Sequence, residues 1–210
     1  MLKKGIYIGL LFFMFSEGYA QKIMEKSWDA SSVERLEIIS DEVYRITIVS
    51  EVIERIYVRT KVEGEHSENV VLLVSEENKT LSLSSGFTPY FVMQNDKLAA
   101  HKVISIEMEI RVPSDLAILV KGAMVSVETK GSFSELQLEL RNGNCVLNDF
   151  KGNAQLNSRN GSITVFAMET GVLNVKSKNG SIKNELPKEG QFLINAESVN
   201  GDITLLKSQK

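Results

Sequence analysis

Apolar and polar residues alternate with a period of two along most of the chain after residue 30. The clearest run is "VISIEMEIRVP", in which Ile106, Met108 and Ile110 share one side while charged residues occupy the other. This alternation is typical of a strand with one buried and one solvated face. Pro113 ends the run, and helical spacing does not persist anywhere after residue 22. The pattern therefore predicts an all-β protein.

An Asn-Gly pair recurs in the second half of the chain, at Asn142, Asn160, Asn179 and Asn200, with intervals of 18, 19 and 21 residues. Apolar residues alternate on both sides of each pair. The predicted inward positions are Leu136, Leu138, Ala154, Leu156, Leu173, Val175, Ile194 and Ala196 before the pairs, and Cys145, Leu147, Ile163, Val165, Ile182, Asn184, Ile203 and Leu205 after them. The pattern indicates strand, turn, strand, with positive φ at both central turn residues.

A second glycine series predicts the opposite corner of each repeat. Its members, Gly131, Gly152, Gly171 and Gly190, fall between successive Asn-Gly pairs. A unit of two short strands and two corners cannot bury its own apolar row, whereas units stacked about 4.8 Å apart can. Stacked turn asparagines are then expected to bond to one another or to the backbone.

The sequence therefore predicts a β-solenoid, a single-stranded β-helix-like stack of coils of about 19 residues, with an irregular β-rich N-terminal half. A meander of antiparallel hairpins that closes into a sandwich is the alternative, because Asn-Gly is also a strong hairpin signal. The regular period and the second glycine series favour the solenoid.

The first 20 residues are typical of a secretory signal peptide. Lys3 and Lys4 precede an apolar core at 6–15, and Ala20 ends a small-residue cleavage site. A membrane anchor is the alternative, but it needs about 20 apolar residues, and Glu17 interrupts the run. We expect residues 1–20 to be the signal peptide, 21–115 an irregular β-rich half or cap, and 116–210 the repeat coil, continuous with the preceding strands as one domain.

Charge and cysteine content argue against a nucleic-acid-binding protein and against a fold held by disulfides. The net charge is −3, which argues against nucleic acid as a partner because that binding requires a concentrated basic surface. No later segment is apolar enough to span a membrane. Cys145 is the only cysteine, so no disulfide framework is expected within the chain. Its place among the inward positions indicates a small buried hydrophobe; a reactive thiol is the alternative.

The sequence offers no recognisable catalytic or metal site. His66 and His101 have no nucleophile or ligand cluster at a known spacing, and the glycine-aspartate repeats of calcium-binding rolls are missing. Four carboxylates of the outer connections, Asp149, Glu169, Glu185 and Glu189, do not recur in register. We therefore expect no catalytic residue, no cofactor and no metal, with a polysaccharide-active β-helix enzyme as the least favoured alternative.

The connection at 85–102 is the candidate partner-binding segment. Phe87, Tyr90, Phe91 and Met93 concentrate aromatic and soft apolar side chains there, and long connections are often functional. The alternative is a hydrophobic lid over the open end of the stack.

Several segments together resemble the bacterial putative adhesins and their relatives, the head-domain putative autotransporter adhesins. They are "MEIRVP", "LAILVKG", "MVSVETKG" and the units "RNGNCVL", "RNGSITV", "KNGSIKN" and "VNGDITL". The resemblance covers about residues 30–207 and supplies no catalytic residues.

The resemblance implies surface adhesion. Together with the signal-like segment it predicts an exported, non-enzymatic protein that presents a rigid stacked β surface at the cell envelope, with a surface glycan or an envelope protein as partner. Periplasm, cell surface and medium are all open as destinations, and so is the oligomeric state. An envelope scaffold or sensor that pairs with a partner strand is the alternative.

Overall fold

The computed structural model describes residues 21–91 and 104–208. Within those ranges it contains strands, turns and one 3-10 turn at Ser67–Asn69, and no helix there is long and apolar enough to cross a bilayer. The strands are β1 (Lys22–Asp29), β2 (Arg35–Ile39), β3 (Val43–Glu51), β4 (Arg55–Glu63), β5 (Val70–Glu77), β6 (Thr80–Phe87), β7 (Ser105–Pro113), β8 (Ala117–Gly122), β9 (Ser126–Asn142), β10 (Cys145–Asn160), β11 (Ile163–Ala167), β12 (Thr170–Ser177), β13 (Ile182–Asn184), β14 (Phe192–Ser198) and β15 (Ile203–Lys207).

The strands form two faces of one stack. Face A runs in the order β1-β4-β7-β3-β9-β10-β11-β15-β13, and face B runs β5-β6-β2-β8-β9-β10-β14-β12. Strands β9 and β10 belong to both faces because each turns a corner, with Gly131 and Gly152 between its two halves. Each coil contributes one strand segment to each face.

Parallel pairing decides between the two predicted architectures. Neighbouring coils pair in parallel along both faces, and antiparallel pairs among the described strands are confined to β1 with β4, β4 with β7, and β5 with β6. A hairpin sandwich requires antiparallel neighbours throughout. The β-solenoid prediction is confirmed, and the antiparallel strands belong to the irregular N-terminal half.

The core lies between the two faces and is built from the alternating apolar positions. Ile163 has Cys145 on one neighbouring strand and Ile203 on the other, and all three are at most 1% exposed. Burial raises the pKa of the Cys145 thiol, so the nucleophilic thiolate is disfavoured. The interpretation of Cys145 as a small buried hydrophobe is confirmed.

The coils do not stack in chain order. The segment before the turn at Asn160 pairs with that before Asn200, since Ala154 lies against Ile194 in β14. In turn, β14 pairs with β12, which leads to the turn at Asn179. Face A repeats this order, because β15 lies between β11 and β13. The last coil is therefore inserted between the two coils that precede it in sequence.

The N-terminal coil is inserted in the same way. On face B, β2 lies between β6 and β8, and on face A, β3 lies between β7 and β9. The coil of β2 and β3 and the last coil, of β14 and β15, are thus each paired on both sides. The edges of the stack are β1 and β5 at one end and β12 and β13 at the other.

Three predicted inward positions in the outermost coil are wrong. Ile182 is 47% exposed, Leu173 is 68% exposed, and Asn184 is exposed as well. Ile182 has a neighbouring coil on only one side, because β13 pairs with β15 alone. A register shift between Val172 and Asn174 leaves Leu173 without a partner on β14, so Val172 is buried there instead.

The turn conformation predicted for the Asn-Gly pairs is also wrong. None of the four asparagines has positive φ, and of the four glycines only Gly143 does, at 146°. The glycines are required by the close approach of stacked backbones: a Cβ on Gly161 would overlap the carbonyl oxygen of Gly143. The pair marks contact between coils rather than a hairpin turn.

The turn asparagines bond to one another in the order of the stack. The amide of Asn160 donates to Asn142 Oδ1 at 2.8 Å, and that of Asn200 donates to Asn160 Oδ1 at 2.6 Å. The amide of Asn179 donates to Asn200 Oδ1 at 2.6 Å and ends the ladder. The expected mutual bonding is confirmed, in a spatial order that the sequence did not predict.

A double-mutant cycle is expected to report this order. Single and double alanine variants of Asn160 and Asn200 should show a coupling of about 1 kcal/mol in urea unfolding, because the two amides share a hydrogen bond. The same cycle on Asn160 and Asn179 should show coupling of less than about 0.5 kcal/mol. Coupling confined to the second pair would contradict the inserted position of the last coil.

Candidate binding surface

The candidate segment starts where β6 ends, beside the connection from β4 to β5. Phe87 packs against the core, and the ring of Phe91 stacks on it with centroids 5.3 Å apart. His66 lies on the other connection, with its ring centroid 5.1 Å from that of Phe91. Tyr90 is fully exposed at φ 71°. We call His66, Phe87, Tyr90 and Phe91 the aromatic patch.

Hydrogen bonds hold the two connections of the aromatic patch together. The Thr88 N–H donates to the Asn69 carbonyl oxygen at 2.8 Å, and the Thr88 hydroxyl donates to Asn69 Oδ1 at 3.2 Å. The Phe91 N–H donates to the Thr88 carbonyl oxygen at 3.2 Å. Residues 88–91 are thus tied to the connection between β4 and β5, and Tyr90 projects from this base.

The structure brings three of the four predicted site residues together. Phe87 and Phe91 are in contact, and Tyr90 lies beside them on the outside. Met93, like His101, lies outside the described residues. The sequence did not predict that His66 joins this group, because it is separated from Phe91 by two strands and no periodicity relates them. Gly64, at φ 109°, and His66 itself, at φ 63°, mark a tight bend there.

Three of the four carboxylates of the enzyme alternative form ion pairs with lysines. Asp149 pairs with Lys130 at 3.6 Å, Glu169 with Lys151 at 2.7 Å, and Glu185 with Lys183 at 2.9 Å. Asp149 also accepts a hydrogen bond from Ser208. Glycosidases need two carboxyl groups flanking the scissile bond, one of them held protonated. In this structure the three paired carboxylates are parts of the ion-paired surface.

No group of three or more His, Cys, Asp and Glu side chains in residues 21–91 and 104–208 is placed to hold a metal ion. Asp202 is the one acidic residue that directly follows an Asn-Gly pair, so we considered it as a calcium ligand. Its carboxylate accepts hydrogen bonds from the Ser181 N–H at 2.7 Å and the Ser181 hydroxyl at 2.8 Å, which lower the pKa of Asp202. The Asp202 side chain therefore links its own coil to the coil of Ser181 by hydrogen bonds.

The repeat region matches a known protein family. Residues 117–210 match the model of the family described as Toastrack DUF4097. No curated protein matches the sequence. Residues 117–210 include all four Asn-Gly units, so the family match rests on the same part of the chain as the repeats.

Solved structures share the overall architecture. A putative cell adhesion protein from Clostridium sporogenes has a TM-score of 0.61 at 14% identity, covering 90% of this chain and 100% of that one. Putative adhesins from Bacteroides fragilis and Parabacteroides merdae each have a TM-score of 0.43 at 12% identity. They cover 88% and 87% of this chain, and 97% and 80% of their own. Only the similarity to the Clostridium sporogenes protein supports the fold.

The resemblance to bacterial putative adhesins that the repeats predicted is confirmed. Residues 117–210 match the Toastrack DUF4097 family.

Proposed function

We propose that this chain is an exported, non-enzymatic adhesin-like protein that presents a rigid stacked β surface for binding at the cell envelope. The description of the Clostridium sporogenes structure as a putative cell adhesion protein supports the adhesive role. The signal-like residues 1–20 support export. Fractionation of cells that express the tagged full chain tests export directly: a tag found only in the cytoplasm would contradict it.

The aromatic patch is the observation that carries the binding role. A fully exposed tyrosine on a loop held by hydrogen bonds offers a large amphipathic ring at low cost in conformational entropy. Phe87 and Phe91 fix the base of the loop, so Tyr90 is free to contact a partner without disturbing the core. Such a ring suits the apolar face of a sugar or the surface of an envelope protein.

Replacing Tyr90 with alanine is expected to weaken binding of the full chain to a glycan array or to envelope preparations by about tenfold, which corresponds to about 1.4 kcal/mol. The thermal midpoint should stay within about 1 °C of the parent, because the side chain makes no packing contact that folding needs. Binding titrations and thermal unfolding measure the two effects.

Val52→Ala is the matched control. Val52 is also fully exposed, in the turn between β3 and β4, outside the aromatic patch. It should leave binding unchanged. Equal loss in both variants, or unchanged binding in Tyr90→Ala, would contradict the role of the aromatic patch.

A second candidate function has one observation in its favour. Strand β5 is an edge of face B, and Leu73 and Val74 on it are 50% and 36% exposed. An exposed apolar edge strand can accept a strand from a partner protein. Capture of an envelope protein that survives Tyr90→Ala and is lost in Leu73→Lys would favour a scaffold role over adhesion through the aromatic patch.

A further inference from the structure

We propose that an acidic polysaccharide binds along face B beside the asparagine ladder, on the cations Arg141, Arg159, Lys176 and Lys178. We call these four residues the cationic strip; Val199 lies between Arg159 and Lys178, and Lys176 lies opposite Glu197. The proposal rests on the adhesive function above and names its ligand class, a polymer that carries carboxylate or sulfate groups.

Two arginines of the cationic strip stack directly on each other. Ser158 and Asn160 lie opposite Leu140 and Asn142 in the parallel pairing, so Arg159 lies on Arg141. Neither guanidinium group has a hydrogen-bond or ion-pair partner in residues 21–91 and 104–208, and both residues are exposed. Like charges directly opposite on neighbouring strands destabilise a sheet. An anionic group between them removes that repulsion and can accept hydrogen bonds from both.

Two adjoining shallow depressions form an open groove beside the arginines. One part, of about 630 Å³, is lined by Asp41, Ala123, Glu139, Arg141, Arg159 and Val199 among others. The next part, of about 510 Å³, shares Val199 and continues to Lys176 and Lys178. The lining residues come from successive coils, which are about 4.8 Å apart, so the groove runs along the stack. This shape fits an extended chain better than a compact ligand.

The acidic residues near the cationic strip have partners of their own. Glu139 pairs with Lys121 at 3.0 Å, and Glu197 accepts a hydrogen bond from the Asn174 amide at 3.0 Å. Asp41 accepts the Ala123 N–H at 2.9 Å. Lys121 therefore offsets the charge of Glu139, and the four cations of the cationic strip outnumber the two remaining carboxylates, Asp41 and Glu197, on a protein whose net charge is −3.

The positions of these acidic residues favour a polymer over an anionic membrane as the ligand of the cationic strip. Glu139 and Glu197 lie on the same face as the cationic strip. Both carboxylates also line the groove. A planar anionic surface would be held against them together with the arginines, whereas a flexible chain can place its anionic groups on the cations and its hydroxyl groups beside the carboxylates. The asparagine ladder uses one N–H of each amide, and an asparagine amide has two donors. The second donors are therefore available to sugar hydroxyl groups.

The test measures binding of the purified full chain to polygalacturonate, with its neutral methyl ester as the uncharged comparison. Arg141→Gln with Arg159→Gln is expected to weaken polygalacturonate binding at least about tenfold. Lys130→Gln with Lys151→Gln removes the same charge elsewhere and should change binding less than about threefold. Removing the stacked like charges should leave the thermal midpoint of the arginine variant equal or higher.

The possible outcomes separate this proposal from the proposed function. Equal losses in the two double variants, equal binding to the methyl ester, or no binding of the parent protein would overturn the cationic strip as the site. Tighter binding to anionic lipid vesicles, lost in the arginine variant, would overturn the polysaccharide as ligand. Glycan binding that depends on Tyr90 but not on the arginines would overturn the cationic strip and leave the adhesive function standing.

Discussion

Replacing Ile163 with aspartate is expected to unfold the C-terminal half of the stack. Ile163 is 1% exposed between Cys145 and Ile203 on the neighbouring strands. The change removes a buried side chain and adds a carboxyl group in an apolar layer, and together these cost more than about 4 kcal/mol. Typical domains have about 5–15 kcal/mol of stability in total. Circular dichroism and urea unfolding measure the loss.

The outward neighbour supplies the control for this prediction. Thr164 is half-buried on the outer side of the same strand, opposite Val146 and Thr204. Thr164→Asp should cost about 1 kcal/mol or less, since a charge there stays solvated. A midpoint in Ile163→Asp equal to that of Thr164→Asp would show that the inward assignment is wrong.

The pH dependence provides a second check on the same variant. A carboxyl group buried at position 163 would have its pKa raised by desolvation. The folded state would then bind more protons than the unfolded state, so stability falls as pH rises through the titration. The stability difference between Ile163→Asp and the parent should therefore shrink as the pH is lowered. A difference that does not change with pH would indicate a hydrated carboxylate.

The repeat was predictable because its inward positions depend only on period. Cys145, Ile163 and Ile203 follow their Asn-Gly pairs at one spacing and are all buried. Ile182 has the same spacing but lies in the outermost coil, where half of its environment is solvent. One signal of this was present in the sequence: Asn184 occupies the position of Leu147, Val165 and Leu205. A polar residue at an inward position marks a coil that has no neighbour beyond it.

The order of the coils could not be predicted in the same way. The units at Asn179 and Asn200 share the Asn-Gly pair and an isoleucine two residues after the glycine, so these shared positions do not decide which unit stacks on the one at Asn160. Long-range contacts choose between them, and the chosen order allows the last coil to pair on two sides. The candidate site also depends on contacts between residues that are distant in sequence. Local aromatic content predicted Phe87, Tyr90 and Phe91, whereas the contact with His66 depends on two connections that meet only in the fold.

Gly161→Ala is expected to destabilise the protein by about 3 kcal/mol or more, although alanine suits the backbone conformation at this position. Gly161 is not at positive φ, so an isolated turn would accept the change. In the stack, the new Cβ would overlap the Gly143 carbonyl oxygen and lie 2.6 Å from the carbonyl carbon. A backbone group held in the parallel ladder cannot move aside, so the coils must separate and the cost exceeds that of ordinary overpacking.

Gly86→Ala is the matched control because its Cβ would meet a side chain instead of a backbone. The nearest atom is Leu73 Cδ1 at 2.8 Å, at the end of a half-exposed side chain on edge strand β5. That side chain can change rotamer at a cost of about 1 kcal/mol. Urea unfolding of both variants should therefore give a much larger loss for Gly161→Ala. Equal losses would mean that the Asn-Gly pairs act through local turn conformation, and that the close contact of stacked coils does not explain the repeat.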